Sequence, residues 1–287
     1  MNAIEIKDLK KSFGDFKIDI SKFNVKEGYI TGFIGPNGAG KTTTIKLIMN
    51  MLFKDEGSIK ILDEEISIDN INVKAKIGYV GEITGYLQEA KLKNIKRMVS
   101  RFYNNWDESI YNKYIRKFRL DETKIYKELS SGEKRQFDLI MALSHHPKLI
   151  IMDEPTANLD PLVRNEFLEI LQEYMASEDV TVFYSTHITS DLDKAADYIA
   201  LMFDGEIILY GEKNDLIENH SIVRGEKYLL KEETKKCFVS YKTNLCGFEG
   251  LTNNKKEAYE IFGEEVIYDK VNLEDILMYY TRRNRNE

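Results

Sequence analysis

This chain is short of residues that constrain or cross-link a backbone: 287 residues contain four prolines and two cysteines. Cys237 and Cys246 show no metal-ligand spacing. A chain this long buries a core without staples, so they suit a reducing compartment. No apolar run approaches the roughly 18 residues of a membrane span. The start, MNAIEIKDLKK, has no apolar signal core. The expectation is a chain that neither crosses a membrane alone nor is secreted. Positive charge is not in excess either, since 41 basic against 48 acidic side chains leave −7. That argues against a general nucleic-acid binder. Only four histidines occur, and there is no convincing internal repeat or low-complexity segment.

What is present is organised around the prolines. Pro36 lies in a glycine-rich loop, while Pro147, Pro155 and Pro161 bracket one buried-looking strand and its following turns. Residues 1–34 read as the strands AIEIKDL, FKIDI and YITGFI. From Thr42, Ile45, Ile48, Met49 and Leu52 fall at helical spacing, predicting about three turns of helix. Leu92, Ile95, Met98/Val99 and Phe102 make one further helical stripe, and Ile110, Tyr114, Ile115 and Phe118 another. These predict a helical subdomain over about 88–145, inserted in an α/β core. Simple cover for a sheet edge is the bland role for it.

LIIM (149–152) and VTVFYS (180–185) are short, apolar and followed directly by carboxylates or a histidine. With helices around them they predict a parallel sheet carrying function at its carboxyl ends. LMFDGEIILY predicts a hairpin turning at Asp204-Gly205. From about 221 the pattern changes. KYLL, KKCFVSYK and EEVIYD read as short strands and LEDILMYYTRR as a terminal helix, a small α+β appendage over 221–287 beside a domain of 1–220.

The strongest chemical signal is GPNGAGKT, Gly35–Thr42, after a strand and opening a helix. Gly35, Gly38 and Gly40 let backbone amides turn inward on phosphate, with Pro36, Asn37, Ala39 and Thr43 completing the loop. Lys41 would bridge the β and γ phosphates, and Thr42 would reach Mg²⁺. Strand 149–153 delivers Asp153 as a magnesium-associated acid and Glu154, one residue on, as a base for water. His187 ends VTVFYSTH, where it could donate to the γ phosphate and hold the Glu154 geometry. His145 and His146 are expected to satisfy a helix end or face water. Phe13 either stacks on a base or packs in a turn.

These residues, with LSSGE at 129–133, resemble the nucleotide-binding subunit of ATP-binding-cassette transporters over about residues 1–230. The resemblance implies a phosphate-loop ATPase cassette with an antiparallel β subdomain, a helical subdomain and an α+β appendage. It implies ATP and Mg²⁺ as ligands, and a head-to-tail pairing with a second copy or a related cassette. Ser130, Ser131, Gly132 and Glu133 would then close on the partner's ATP. Asp160, in Asn158-Leu159-Asp160, would link the two sites, and Phe13 falls at the adenine-stacking position. Ser131 and Glu133 depart from the usual LSGGQ, and Glu82 stands where many members have glutamine as a metal- or water-side ligand. An ionised glutamate donates no amide hydrogens, so sensing and coupling would differ in detail.

A single phosphate loop and a short insert fit neither the long coiled-coil DNA-repair members nor the two-cassette translation members. The tail CGFEGLTNN…VNLEDILMYYTRR resembles bacterial cassettes that pair with separate permeases for drug, antibiotic-peptide or small-molecule export. The resemblance thus implies an ATP hydrolase attached to the inner membrane face through a permease, with no nucleic-acid partner. Its tyrosine-bearing last helix is expected to shape the cassette dimer. The alternative is a soluble cassette ATPase in assembly or regulation.

Overall fold

The computed structural model describes residues 1–67, 70–81, 85–157 and 159–282. The chain begins with a long antiparallel ribbon, β1 (Asn2–Phe13) and β2 (Phe16–Lys26). Ile4, Ile6 and Leu9 point inward while Lys7 and Lys10 face water, as in a sheet wet on one side. Asp8, at φ 49, absorbs the extra residue where the register of β1 against its other neighbour shifts. Next come β3 (Ile30–Ile34), buried throughout, and α1 (Lys41–Ile48). β4 (Glu56–Ile61) and β5 (Glu64–Glu65) complete a sheet ordered β2-β1-β4-β5.

After α2 (Ile71–Lys74) and β6 (Ile77–Val80), the chain leaves the sheet for α3 (Leu92–Val99), α4 (Glu108–Lys117) and α5 (Ser131–Leu143). It returns through β7 (Leu149–Asp153), α6 (Pro161–Ser177), β8 (Thr181–Thr186), α7 (Thr189–Ala195), β9 (Tyr198–Phe203), β10 (Glu206–Glu212) and α8 (Lys213–Asn219). The second sheet runs β10-β9-β3-β8-β7-β6; its pairs are parallel except the β9–β10 hairpin, which turns at Asp204-Gly205. Alternate residues of β7 enter opposite cores. Leu149 and Ile151 join the antiparallel sheet beside Phe23, Phe33 and Phe183, while Ile150 and Met152 face the helices. That double burial explains why these strands read as continuous apolar runs.

The third sheet, β12-β13-β11-β14, comprises β11 (Ser221–Gly225), β12 (Phe238–Asn244), β13 (Gly247–Thr252) and β14 (Ile267–Asp269). It carries α9 (Lys255–Phe262) on one side and α10 (Leu273–Arg282) on the other. The architecture is therefore α/β with antiparallel sheets, an inserted helical segment and a small α+β C-terminal region.

Several details correct the sequence reading. The helix after the glycine loop ends at Ile48, because Asn50 turns left-handed at φ 54 before Leu52 can join it. KYLL is not a strand: Lys227–Leu229 forms a short 3-10 turn. Tyr279 and Tyr280 of the last helix point into their own subunit. Both are buried within their own chain, with the Tyr280 hydroxyl 3.0 Å from His220 Nε2 and α10 packed against α7. His145 neither faces water nor serves only to end a helix. Its ring is 2% exposed and stacks on Tyr103 at 4.0 Å, and burial pushes its pKa down to about 4.

One buried carboxylate in α5 makes stability depend on pH. Asp138 accepts from the Tyr126 hydroxyl at 3.1 Å and lies 3.5 Å from an Arg135 nitrogen, yet burial outweighs both and pushes it up to about 7. The folded chain then keeps a proton that the unfolded chain has lost, so stability falls as pH rises from the ordinary carboxylate range to about 7. Asp138→Asn should melt above the parent at pH near 8 and close to it at pH near 4. Melting below the parent at the higher pH would make the carboxylate a net stabiliser.

Candidate nucleotide site

The glycine loop is shaped by what presses on it. A Cβ on Gly35 would meet the Met202 carbonyl oxygen of β9 at 2.2 Å. Gly40 sits at φ 108, and a Cβ there would meet Ile18 Cδ1 at 2.5 Å. Only glycine fits either position. The Ala39 N–H bonds to the Pro36 carbonyl at 3.2 Å, and the Gly205 N–H to the Ala39 carbonyl at 3.0 Å, which ties the loop to the β9–β10 hairpin. No side chain caps α1. The amides of its first turn, at Lys41, Thr42 and Thr43, are therefore aimed at an anion site.

Around this loop the sheet brings together the acids and the histidine. Lys41 is 6% exposed; its ammonium donates to the carbonyls of Gly35 at 2.8 Å and Pro36 at 3.3 Å, and lies 3.4 Å from Glu154 Oε1. The Thr42 hydroxyl donates to Asp153 Oδ1 at 3.1 Å. Burial pushes the Asp153 carboxyl up, which the Thr42 bond partly offsets. A hydroxyl and a carboxylate in contact are hard oxygen donors, so the pair fits Mg²⁺.

Glu154 takes φ 49, a strained value for a residue with a Cβ. Its Oε2 accepts the His187 backbone N–H at 3.3 Å and lies 2.8 Å from His187 Nδ1. Asn37, Gly38, Gly40, Lys41, Thr42, Thr43, Glu154 and His187 thus line one cleft, together with Ala157 and Phe16. Phe16 is an addition to the sequence reading. Phe13 pairs with it across the β1–β2 turn and is itself 41% exposed, with the Lys11 ammonium 5.7 Å from its ring. The alternation of β2 that buries Ile18 and Ile20 could have signalled Phe16.

The signature residues lie at the start of α5, outside the lining of this cleft. Ser130 is the N-cap. Its hydroxyl accepts from the Glu133 N–H at 3.1 Å, and Glu133 Oε2 accepts from the Ser130 N–H at 2.8 Å, a reciprocal capping box. Lys124 holds the other Glu133 oxygen at 2.8 Å, and these contacts keep the carboxyl below its usual range, Lys124 foremost. Glu133 therefore keeps its charge turned back on its own helix. Ser131 and Gly132 open the first turn. Asp160 is the N-cap of α6, accepting from the amides of Leu162 and Val163 at 3.0 and 3.1 Å. Glu82 and Asn158 lie outside the described residues.

A parallel sheet that carries a GxxxxGK[ST] loop and an acidic strand end to one cleft, with a helical insert between them, defines a phosphate-loop ATPase cassette. The profile of the ABC transporter family matches residues 18–157. The bacitracin transport ATP-binding protein BcrA of Bacillus licheniformis is 31% identical over 79% of this chain and 73% of its own. The methionine import ATP-binding protein MetN of Clostridium tetani is 31% identical over 80% and 77%. A solved ATP-binding subunit of an ABC transporter superposes with a TM-score of 0.67, at 27% identity, over 75% of this chain and 92% of its own. The chain belongs to the ABC transporter family, as an ATP-binding cassette subunit. An import protein and a bacitracin transport protein match at the same identity, so the comparisons define the cassette rather than an exporter subgroup.

Proposed function

We propose that this subunit hydrolyses ATP in a head-to-tail pair of cassettes, with a second copy or a related cassette, and drives export of a drug, peptide or small molecule through a separate permease. The observation that carries the reading is the convergence of Lys41, Glu154 and His187 on the glycine loop. Lys41 would leave the Gly35 and Pro36 carbonyls for the γ phosphate. Glu154 would take a proton from the attacking water, held in place by the amide and ring of His187. Thr42 and Asp153 would hold Mg²⁺, which when bound supplies charge neutralisation between the β and γ phosphates. Ser130, Ser131 and the amides near Gly132 would close the partner's site from the start of α5.

Among the described residues no helix is long and apolar enough to cross a membrane, so transport requires a partner. A groove between β6, α3 and α5 supports such docking. It is lined by Met49, Met51, Tyr79, Met98, Phe102, Tyr103 and His145. Of the stripe Leu92, Ile95, Met98/Val99 and Phe102, Val99 packs against the core, while Met98 and Phe102 are 46% and 82% exposed. Apolar side chains left in water beside a cleft suit a protein partner. With 221–287 as an appendage, the buried tyrosine pair supports a role in bracing its own cassette, a proposal about one subunit rather than the dimer.

The test is isolation of the intact complex in mild detergent, with every stoichiometric partner identified. A multi-span membrane protein, released by Phe102→Asp, is the expected result. A stoichiometric soluble complex without any membrane protein would favour the assembly or regulatory alternative.

A further inference from the structure

Two segments of the nucleotide cleft and the start of α6 converge on a single carboxylate. Asp191 lies in the first turn of α7, four residues after His187, and is 2% exposed. Its Oδ2 accepts from the Thr156 hydroxyl at 2.6 Å and from the Tyr184 hydroxyl at 3.1 Å. The two hydroxyls also touch each other, at 2.9 Å. Thr156 and Tyr184 are both fully buried. On the other side, Arg164 Nε is buried without a hydrogen-bond partner, 4.0 Å from Asp191 Oδ1, while its Nη2 donates to the Leu159 carbonyl at 3.3 Å.

Each partner belongs to a different segment: two carry cleft residues and the third is α6. Thr156 follows Glu154 by two residues, in the turn whose φ of 49 at Glu154 needs external support. Tyr184 is in β8, three residues before His187, and Arg164 is in the first turns of α6, just after Asp160. We propose that Asp191 is a positioning residue for hydrolysis, fixing the Glu154 turn, the His187 loop and the start of α6 to one another through Thr156, Tyr184 and Arg164. A buried carboxylate must be hydrogen-bonded or paired, so the three segments cannot drift apart without exposing an unsatisfied charge. The arrangement sets the 2.8 Å approach of His187 to Glu154. This assignment rests on the reading of Glu154 as the base that activates water.

Tyr184→Phe is the informative variant, because it keeps the ring in the core and removes one hydroxyl. With the full chain and Mg²⁺-ATP, kcat should fall about tenfold while nucleotide affinity changes less than about twofold, the pattern of an interaction that matters in the transition state. Asp191→Asn should lower kcat further. It should also loosen amide-exchange protection at 154–157 and 187–192 together, without nucleotide. In a His187→Ala background the Tyr184→Phe loss should shrink to less than about threefold, because the geometry being protected is gone. Parental kcat in both network variants, with Glu154→Gln inactive, would overturn the positioning role alone. So would a lowered melting temperature with unchanged kcat, or losses that multiply in the double variant. Glu154→Gln hydrolysing at the parental rate would instead remove the base reading, and the positioning role with it.

Discussion

Glu154→Gln is expected to hydrolyse ATP at least about a hundredfold more slowly than the parent while still binding it, the loss typical of a missing general base. The substitution changes one atom. A glutamine carbonyl can still accept the His187 N–H that now reaches Glu154 Oε2 at 3.3 Å, so the local turn should survive. What disappears is the basic oxygen and the charge facing the Lys41 ammonium at 3.4 Å. Removing that charge frees Lys41 for phosphate, so affinity for ATP should hold or rise. If two cassettes close on ATP, the variant should accumulate as an ATP-dependent dimer, measured by light scattering after gel filtration. Parental turnover would show that the proton goes elsewhere, and an unchanged mass with ATP bound would count against closure of a pair.

The parts of this protein that were legible in its sequence are those whose cause is local. GPNGAGKT announces its loop because the glycines, the lysine and the threonine must be adjacent to surround one phosphate chain. LIIM reads as a central strand because burial on both faces removes polar residues from every position, and β7 is buried from Leu149 to Asp153. Periodicity misled wherever it stood in for tertiary contact. Met98/Val99 and Phe102 continue the spacing of Leu92 and Ile95, yet Val99 packs on the core while Met98 and Phe102 stay exposed. The same stripe serves packing and an open groove, and spacing alone does not distinguish them. KYLL has strand-forming residues, yet Lys227–Leu229 closes into a 3-10 turn. Sequence alone does not say whether the terminal tyrosines serve core or contact surface, because an amphipathic ring suits both. Here Tyr279 and Tyr280 fill the gap between the third sheet and α7.

The Asp191 cluster was invisible for a related reason. Thr156 passes as a turn residue, Tyr184 as part of an apolar strand and Asp191 as the acidic first turn of a helix. Each has an ordinary local explanation, and only the fold brings their oxygens within 3.1 Å of one another. By contrast, the nearness of Thr42 to Asp153, 111 residues apart in sequence, fits the Mg²⁺ role that the sequence suggests for each.

Lys41→Ala should weaken nucleotide binding and remove most turnover together, which separates it from the Glu154 variant. The ammonium is nearly sealed from water and held by two loop carbonyls, Gly35 at 2.8 Å and Pro36 at 3.3 Å. Those carbonyls point their negative ends into a site meant for phosphate, and the lysine neutralises them. Alanine leaves the Gly35 oxygen buried and unsatisfied, an expected cost of about 1–3 kcal/mol in the loop itself. It also removes the compact cation that would lie beside the transferred phosphate, where charge builds most in the transition state. The first cost falls on the nucleotide-free loop and the second on the nucleotide-bound form, and the second is the larger, so affinity should drop about tenfold or more and kcat about a hundredfold or more. Glu154, freed of its ion pair, would keep only the contacts to His187. Calorimetric affinity and steady-state hydrolysis, measured on one preparation, read the two effects separately. Parental values for both would remove Lys41 from the phosphate site. Parental affinity with lost turnover would leave the loop amides as the binding element and the lysine as a group that acts on the transition state alone.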